Sequence, residues 1–461
     1  MKKPNLLFIF ADQWRRESIG FMEKEKVITP NIDNFAKNNA IFEKAYSTCP
    51  LCSPSRATIL TGKYPIAHNV ITNCKPNLFN NFLSPNEITI GDILKNNNYS
   101  TGYIGKWHLD QPDIDFSKNP ISKAKNWDAY TPPGPKRHGF DFWYSYGADD
   151  NHLSPHYWQD SHEQIKVNEW SVKHETDIAL DFLNKNKENQ FALFLSWNPP
   201  HTPLDLIPQK YVDLYDNVDI PIRDNVKLDS IIDHPQTIEP FSLKETEYIQ
   251  MVKKYYGAIS GIDEYFGKII TYLKDNNLYD NTLIILTADH GEMLCSHGLW
   301  SKHVWYEESI SVPFILSLGD QFKNINIKTP LSGVDIVPTI LSLLNIKTDY
   351  SFHGIDLSPT LKGEILNNKA ITMCYTGNPK IINNLKLQNK NPLEFGWRAV
   401  SDEEYTYVAF KNYNGNEKLK EFIYEAKDIL QLNPLPVSEK NEYLKIYLQN
   451  WAVKYNDLIF N

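Results

Sequence analysis

The sequence predicts an α/β fold, in which a large, mostly parallel β-sheet is sandwiched by helices and followed by a small α+β subdomain. Short, continuous apolar runs alternate with segments of helical periodicity, which is typical of a parallel sheet covered on both faces. Each run ends in polar, chemically reactive residues, and the pattern changes near residue 370 to shorter strands. We therefore expect one domain over residues 1–369 and a smaller one over residues 370–461.

Four apolar runs are predicted to be buried strands of the large sheet, at residues 6–10, 102–104, 191–197 and 282–286. Between the last two, apolar residues recur at steps of three or four from Val252 to Leu273, which predicts an amphipathic helix over residues 249–273. A second helix is predicted over residues 334–344.

Two stretches, residues 110–168 and 216–240, show no clear periodicity and are predicted to be irregular. Long irregular segments in a compact domain are usually functional loops. In the smaller domain, residues 370–375, 397–400 and 406–410 predict short strands, and residues 439–455 predict a closing helix.

Composition excludes several classes of function. The 461 residues carry 47 Lys+Arg against 56 Asp+Glu, a net charge of -9, and no dense basic block, which argues against a nucleic-acid binder. The five cysteines have no paired spacing, so reduced thiols are expected. The apolar run after Pro4 is too short for a signal sequence or a membrane span, and on that basis we expect a cytoplasmic protein without a membrane partner.

The polar residues that follow the four strands are expected to converge. Ligands bind outside the carboxyl ends of the strands in open parallel sheets, so these ends should share one crevice. A single Asp after a strand is usually a turn or cap residue, but four coincident groups favour a site. The groups are Asp12 with Gln13, Lys106 with His108, His201, and Asp289 with His290.

A fifth element is the segment of residues 51–62. Ser53 is a plausible N-cap with Pro54 at the first helical position and Gly62 as the stop, which places Cys52 at a helix N-terminus that favours anions. Arg56 lies one turn further. A Cys-x5-Arg phosphatase loop is excluded, because only three residues separate Cys52 from Arg56.

Residues 52–62, Cys-Ser-Pro-Ser-Arg-Ala-Thr-Ile-Leu-Thr-Gly, resemble the signature of type I sulfatases, in which that Cys is converted to Cα-formylglycine. The resemblance extends over nearly the whole chain, through the motifs at residues 11–13, 29–33, 105–108, 137–141, 199–203, 289–292 and 297–313. It implies an alkaline-phosphatase-like fold with a large mixed sheet, a catalytic domain over residues 1–369 and an antiparallel sheet in the C-terminal subdomain.

The resemblance also implies a mechanism. A sulfate ester is negatively charged and hydrolyses very slowly, so the site must neutralise the sulfuryl oxygens and protonate a poor leaving group. The hydrated aldehyde at position 52 would offer a gem-diol, one oxygen attacking sulfur and the other expelling sulfate as the aldehyde re-forms. A formylglycine-generating maturation enzyme is the implied partner.

Residue roles follow from the matched motifs. The implied ligands of one divalent metal ion are Asp12, Gln13, Asp289, His290 and the oxygen at position 52. Arg56 would steady the diol, and Lys106 and Lys302 would hold sulfate oxygens. His108 would take a proton during sulfate release, and His201 would protonate the leaving oxygen.

Two departures from the family pattern bear on the metal. Many sulfatases have a second Asp in place of Gln13 and an Asn in place of His290. Ca²⁺ is the family expectation, but an imidazole ligand also suits Mn²⁺, and Mg²⁺ stays open as well. The same pairing resembles the phosphonate monoester hydrolase branch of the superfamily.

The substrate is expected to be a sulfated small molecule or oligosaccharide. This expectation rests on the aromatic and polar loop at residues 143–170, with His152, His156 and Trp158 as candidate sugar contacts beside Asp149 and Asp150. Loop packing explains these aromatic residues equally well. Two alternatives stay open at this point: a phosphonate monoester or phosphodiester hydrolase, and a non-catalytic binder of sulfated glycans.

Overall fold

The computed structural model describes residues 3–232, 240–413 and 418–461. Its strands are β1 (Asn5–Asp12), β2 (Ala40–Phe42), β3 (Ala45–Tyr46), β4 (Ser100–Lys106), β5 (Phe142–Tyr146), β6 (His156–Tyr157), β7 (Ile165–Lys166), β8 (Phe191–Pro200), β9 (Thr282–Ala288), β10 (Phe314–Leu318), β11 (Ile325–Ile327), β12 (Leu331–Ser332), β13 (Ala370–Cys374), β14 (Gly396–Ser401), β15 (Tyr405–Lys411) and β16 (Lys420–Glu425).

Its α-helices are α1 (Pro30–Lys37), α2 (Cys52–Thr61), α3 (Pro65–His68), α4 (Ile90–Asn96), α5 (Ser171–Asn186), α6 (Gln209–Val212), α7 (Glu245–Asp275), α8 (Glu307–Ile310), α9 (Ile336–Leu343), α10 (Pro379–Leu387) and α11 (Glu442–Tyr455).

The large sheet has eight strands within the described residues, in the order β11-β2-β10-β9-β1-β8-β4-β5. Strands β9, β1, β8, β4 and β5 run parallel to one another, whereas β10 pairs antiparallel with β9. The predicted α/β fold with a mixed, mostly parallel sheet is confirmed. Strand β1 lies at its centre, between β8 and β9, and all eight of its residues are buried.

The helices pack in two groups. Helix α7 has 31 residues and buries one apolar stripe, and it packs against α1, α5 and β8. Helix α2 contacts α4 and α9. The amphipathic helix predicted over residues 249–273 is therefore present and longer than predicted, and α9 begins two residues later than predicted because a short 3-10 turn (Gly333–Asp335) precedes it.

Close strand packing fixes the position of Lys106. Gly105 has φ of +95°, and a Cβ atom at this residue would lie 2.0 Å from the carbonyl oxygen of Ser196 on β8. Any other residue would push β4 away from β8. The glycine thus lets the strand end in register with its neighbour and deliver Lys106 to the carboxyl edge.

The C-terminal region contains the predicted antiparallel sheet, in the order β13-β14-β15-β16. Helix α11 packs against β14, and its Leu444 and Leu448 share an apolar cluster with Tyr46 and Leu51 of the large domain. The three predicted strands and the closing helix are present, and β16 adds a strand that the sequence did not predict.

Three further details complete the comparison with the sequence. Residues 110–168 are not wholly irregular, because β5 forms the edge of the large sheet beside β4 and β6 pairs with β7. Part of the predicted irregular stretch at 216–240, residues 233–239, lies outside the described residues. None of the described helices is long and apolar enough to cross a membrane.

Candidate active site

The carboxyl edge of the parallel strands gathers the residues expected there. Asp12 ends β1, Lys106 ends β4, and Asp289 follows β9 directly. All three are at most 2% exposed. The predicted convergence is confirmed. Because a buried charge is costly, each charged group at this edge needs a protein partner or a ligand to stabilise it.

Cys52 is the first residue of α2. The predicted cap was wrong, because Leu51, in an extended conformation, is the N-cap, and the helix starts one residue before Ser53. The Ser53 hydroxyl instead accepts a hydrogen bond from the backbone N–H of Cys74 at 3.0 Å. The helix ends at Gly62, with φ of 65°, as predicted. Cys52 therefore lies where the helix dipole favours negative charge.

Arg56, one turn into α2, links the two carboxylates of the site. Its Nε donates to Asp289 Oδ2 and its Nη2 to Asp12 Oδ2, each at 3.0 Å. Its Nη1 donates to the Lys106 carbonyl oxygen and to the Ser196 hydroxyl, each at 2.7 Å. The guanidinium thus fixes the carboxylates that flank Cys52, and its influence on position 52 passes through them.

The donor set fits a divalent cation. Ligand atoms of Asp12, Cys52, Asp289 and His290 all lie within 4.8 Å of one another and are buried. His290 Nδ1 lies 3.0 Å from the Gly291 carbonyl oxygen, which can only accept, so Nδ1 carries the proton and the lone pair of Nε2 faces the cluster. Burial and the neighbouring Asp12 raise the pKa of Asp289. A bound cation would stabilise both charged carboxylates.

Gln13 lies beside this cluster in a left-handed backbone conformation, with φ of 66°. Its backbone N–H donates to Asp289 Oδ1 at 3.1 Å. Its side-chain amide donates to Glu292 and accepts from the ammonium of Lys302. The amide oxygen that would serve as a metal ligand is therefore also the group that positions Lys302.

Lys106 is held at the centre of the site. Its Nζ lies 2.8 Å from Asp12 Oδ2 and donates to Asn198 Oδ1 at 3.0 Å. Burial would lower the pKa of Lys106, but the charges of Asp12 and Cys52 raise it above its ordinary value. Its ammonium is consequently charged at neutral pH. Burial would raise the pKa of Asp12, but nearby positive groups, Lys106 foremost, lower this pKa well below its ordinary value.

Two histidines, His108 and His201, are placed to transfer protons at the cavity. His108 Nε2 lies 3.0 Å from the Cys74 carbonyl oxygen, which assigns the proton to Nε2 and the lone pair to Nδ1. That Nδ1 is buried and has no hydrogen-bond partner among the described residues. His108 therefore presents a free basic nitrogen.

His201 follows β8 and lies beside Asp150, with Nδ1 at 3.3 Å from Asp150 Oδ1. Burial and the ammonium groups of Lys106 and Lys302 would lower the pKa of His201, but Asp150 and Asp12 raise it to about 9. The neighbouring His152 Nε2 lies 2.8 Å from the His201 carbonyl oxygen, and burial lowers the pKa of His152 to about 4. Neutral His152 therefore supports the backbone of a protonated His201.

A cavity of about 760 Å³ opens at Cys52. Five of the six predicted catalytic residues line it, namely Cys52, Lys106, His108, His201 and Lys302, and so do Asp149 and Asp150 of the loop at residues 143–170. The remaining wall includes residues that the sequence did not single out, among them Asn73, Lys75, Trp127 and Asn378. These come from segments far apart in the chain, and no local motif marks them.

The three candidate sugar contacts do not line this cavity. Trp158 is fully buried and its indole N–H donates to the His162 carbonyl oxygen at 3.1 Å, so a stacking role for its ring is wrong. His156 lies between Asp128 and Asp149, at 2.7 Å and 3.3 Å, and His152 supports His201 as described above. These three side chains therefore contact protein groups, including the carboxylates of Asp128 and Asp149, and not the cavity.

Comparison with known proteins gives a consistent result. The sulfatase family matches residues 4–346 of this chain. An endo-4-O-sulfatase of Bacteroides thetaiotaomicron is 31% identical over 473 residues, covering 96% of this chain and 90% of its own length. An ulvan-active sulfatase of Formosa agariphila is 29% identical and covers 88% of this chain and 73% of its own length.

Solved structures agree. A Bacteroides fragilis protein solved as the sulfatase YidJ superposes with a TM-score of 0.85 at 32% identity, covering 99% of this chain and 97% of that one. A phosphonate monoester hydrolase from Silicibacter pomeroyi has a TM-score of 0.73 at 20% identity, covering 100% of this chain and 97% of that one, and so shares the fold.

Proposed function

The chain belongs to the sulfatase family and is a sulfuric ester hydrolase, and we propose that it removes sulfate groups from carbohydrates. The observation that carries the proposal is the buried cluster in which Cys52 lies against Asp12 and His290, with Sγ at 3.6 Å from Oδ1 and 3.4 Å from Nε2. The names of the relatives favour glycan substrates, since one acts on ulvan. A polar cavity of about 760 Å³ has room for more than one sugar ring.

We propose that Cys52 is converted to Cα-formylglycine by a maturation enzyme. Asp12, Asp289 and His290, together with the amide oxygen of Gln13, would hold one divalent cation. Oxygen donors dominate this set and favour a hard cation, with Ca²⁺ as the first candidate and Mg²⁺ or Mn²⁺ as alternatives. When bound, the cation supplies positive charge that polarises the sulfuryl group and increases the acidity of the position 52 hydroxyl.

The chain's own residues perform the remaining steps. The first hydroxyl of position 52 releases its proton to solvent through the open cavity, and its oxygen then bonds to sulfur while the bond from sulfur to the sugar oxygen breaks. Lys106 and Lys302 neutralise the sulfuryl oxygens during this step. His201, protonated at neutral pH by its raised pKa, donates its proton to the departing sugar oxygen. His108 Nδ1 then takes the proton of the second hydroxyl while sulfate leaves and the aldehyde re-forms.

A substrate panel tests the reaction class. Protein with confirmed formylglycine is assayed on an aryl sulfate, an aryl phosphonate monoester and sulfated mono- and disaccharides, with Cys52→Ala as the blank. We expect sulfate release from a sulfated sugar at the highest kcat/KM. A preference for the phosphonate by several orders of magnitude would contradict the proposal.

The second candidate, a phosphonate monoester or phosphodiester hydrolase, rests on the pairing of Asp12 with Gln13 and of Asp289 with His290. It uses the same nucleophile and the same proton donor. The shared fold at 20% identity supports no more than the architecture.

A further inference from the structure

One lysine in the cavity has no acidic partner among the described residues. Lys75 lines the wall and is half-buried, and its side chain forms no ion pair or hydrogen bond with any residue in the described parts of the chain. Lys106, by contrast, pairs with Asp12, and Lys302 donates to Gln13. Burial lowers the pKa of Lys75 to about 8, and Cys374 offsets only part of this effect.

An exposed tryptophan lies beside this lysine. Trp127 lines the same cavity and is 41% exposed. Lys75 Nζ lies 6.0 Å from the centre of its ring. An exposed indole in a polar cavity offers a flat apolar face that suits the apolar face of a sugar ring. Its exposure contrasts with that of Trp158, which is fully buried.

This pair adjoins the sulfate site. The ring centres of Trp127 and His108 are 6.1 Å apart. The segment that carries Lys75 also touches the nucleophile, because Asn73 Nδ2 lies 4.0 Å from Cys52 Sγ and the Cys74 carbonyl oxygen binds His108. A sugar bound on Trp127 would therefore be a direct neighbour of the sulfated one.

We propose that Lys75 and Trp127 form a subsite for an acidic sugar next to the sulfated residue, in which Trp127 receives the ring and Lys75 pairs with its negative group. This inference rests on the proposed function and narrows the substrate class to acidic oligosaccharides. A uronic acid carboxylate and a second sulfate ester share the required chemistry.

Matched disaccharides test the subsite. They carry the same sulfated sugar joined to a neutral hexose, a uronic acid or a sulfated hexose, and sulfate release from the shared sugar is measured for each. We expect Lys75→Gln to lower kcat/KM for an acidic disaccharide about 10- to 100-fold, the size typical of a charge-assisted contact. Turnover of the neutral disaccharide should fall much less and the melting temperature should shift little, because the Lys75 ammonium has no ion pair or hydrogen bond with the described residues and only its weak contact with the Trp127 ring is lost.

Two further variants and the wild type separate the outcomes. Lys75→Arg keeps the charge and should retain most of the preference for acidic disaccharides. Lys323→Gln is the matched control, because Lys323 does not line the cavity and forms an exposed ion pair with Asp320, and it should leave kcat/KM unchanged. The acidic disaccharide whose kcat/KM falls most in Lys75→Gln shows whether Lys75 pairs with a carboxylate or with a second sulfate ester. An equal effect of Lys75→Gln on acidic and neutral disaccharides would overturn the subsite. Failure of formylglycine-containing wild type on every sulfated sugar would instead overturn the carbohydrate proposal itself.

Discussion

The two ends of the cavity differ in how their charges are compensated. At the sulfate end, Arg56, Asp12, Asp289 and Lys106 are buried and contact one another at 2.7–3.0 Å. At the open end, Lys75 forms no ion pair or hydrogen bond with the described residues, and Trp127, whose ring centre lies 6.0 Å from Lys75 Nζ, is exposed. The difference separates a preorganised reaction centre, where charges are fixed before substrate arrives, from a surface that the substrate completes. Substitutions at the sulfate end should therefore lower stability and turnover of every substrate, whereas substitutions at the open end should alter the preference among substrates.

The largest effect is expected at Arg56. Arg56→Met leaves two buried carboxylates facing each other, which should lower the free energy of unfolding by about 3–5 kcal/mol and abolish turnover. Urea unfolding in the presence of a chelator measures the first effect and sulfate release the second.

Lys95→Met is the matched control, because its ion pair with Asp141 is about half exposed on both sides. Lys95→Met should lower the free energy of unfolding by less than about 1 kcal/mol. Equal losses for the two variants would show that the buried cluster is not preorganised by Arg56.

An intermediate effect is expected from pH. In the folded protein the pKa of His201 is about 9, above its ordinary value of 6.5, so His201 is protonated below that pH. Turnover of alkyl sulfates should therefore fall as the pH rises through about 9. Asp150 is one of the groups that raise this pKa. Asp150→Asn should therefore move the alkaline limb of kcat/KM to lower pH.

The control for this prediction is Asp141→Asn, which alters an exposed carboxylate, at 60% exposure, outside the cavity. An activated aryl sulfate needs less help from an acid and should show a weaker limb. If the alkaline limb of kcat/KM stays at the same pH in Asp150→Asn, His201 is not the proton donor.

The smallest effect is expected at the open end. Trp127→Ala should reduce kcat/KM for disaccharides by about 3- to 10-fold, the scale of one aromatic contact, and leave the aryl sulfate unaffected. Trp158→Phe should instead lower the melting temperature without discriminating between substrates, because that ring is buried. A selective substrate effect from Trp158 would contradict the assignment of Trp127 as the exposed platform.

The sequence predicted the sulfate end better than the open end, for a physical reason. Asp12, Lys106 and Asp289 follow continuous apolar strands, and parallel strands in one sheet must deliver their carboxyl ends to one edge. Strand β5 was missed because it is only five residues long, FWYSY, and lies inside a segment of loop-like composition without clear periodicity. Ser53 failed as a cap because its hydroxyl is taken by Cys74, a tertiary contact.

The open end is assembled from distant segments. Thr72, Trp127 and Gly377 meet at the cavity wall, and an added Cβ at Gly377 would lie 2.1 Å from the Thr72 hydroxyl oxygen. Such packing depends on how the C-terminal sheet sits on the large domain. Neither periodicity nor motif spacing predicts this packing. For Trp158 the sequence left loop packing and a sugar contact equally open, and its full burial favours packing.

The central claim is that an aldehyde made from Cys52 is the reacting group. The most direct test is the mass of the peptide containing position 52, measured on batches that differ in maturation and compared with their turnover of a sulfate ester. The account predicts that turnover rises in proportion to the aldehyde fraction and that Cys52→Ala is inactive. Full turnover by protein that retains the free thiol, or by Cys52→Ala, would contradict it.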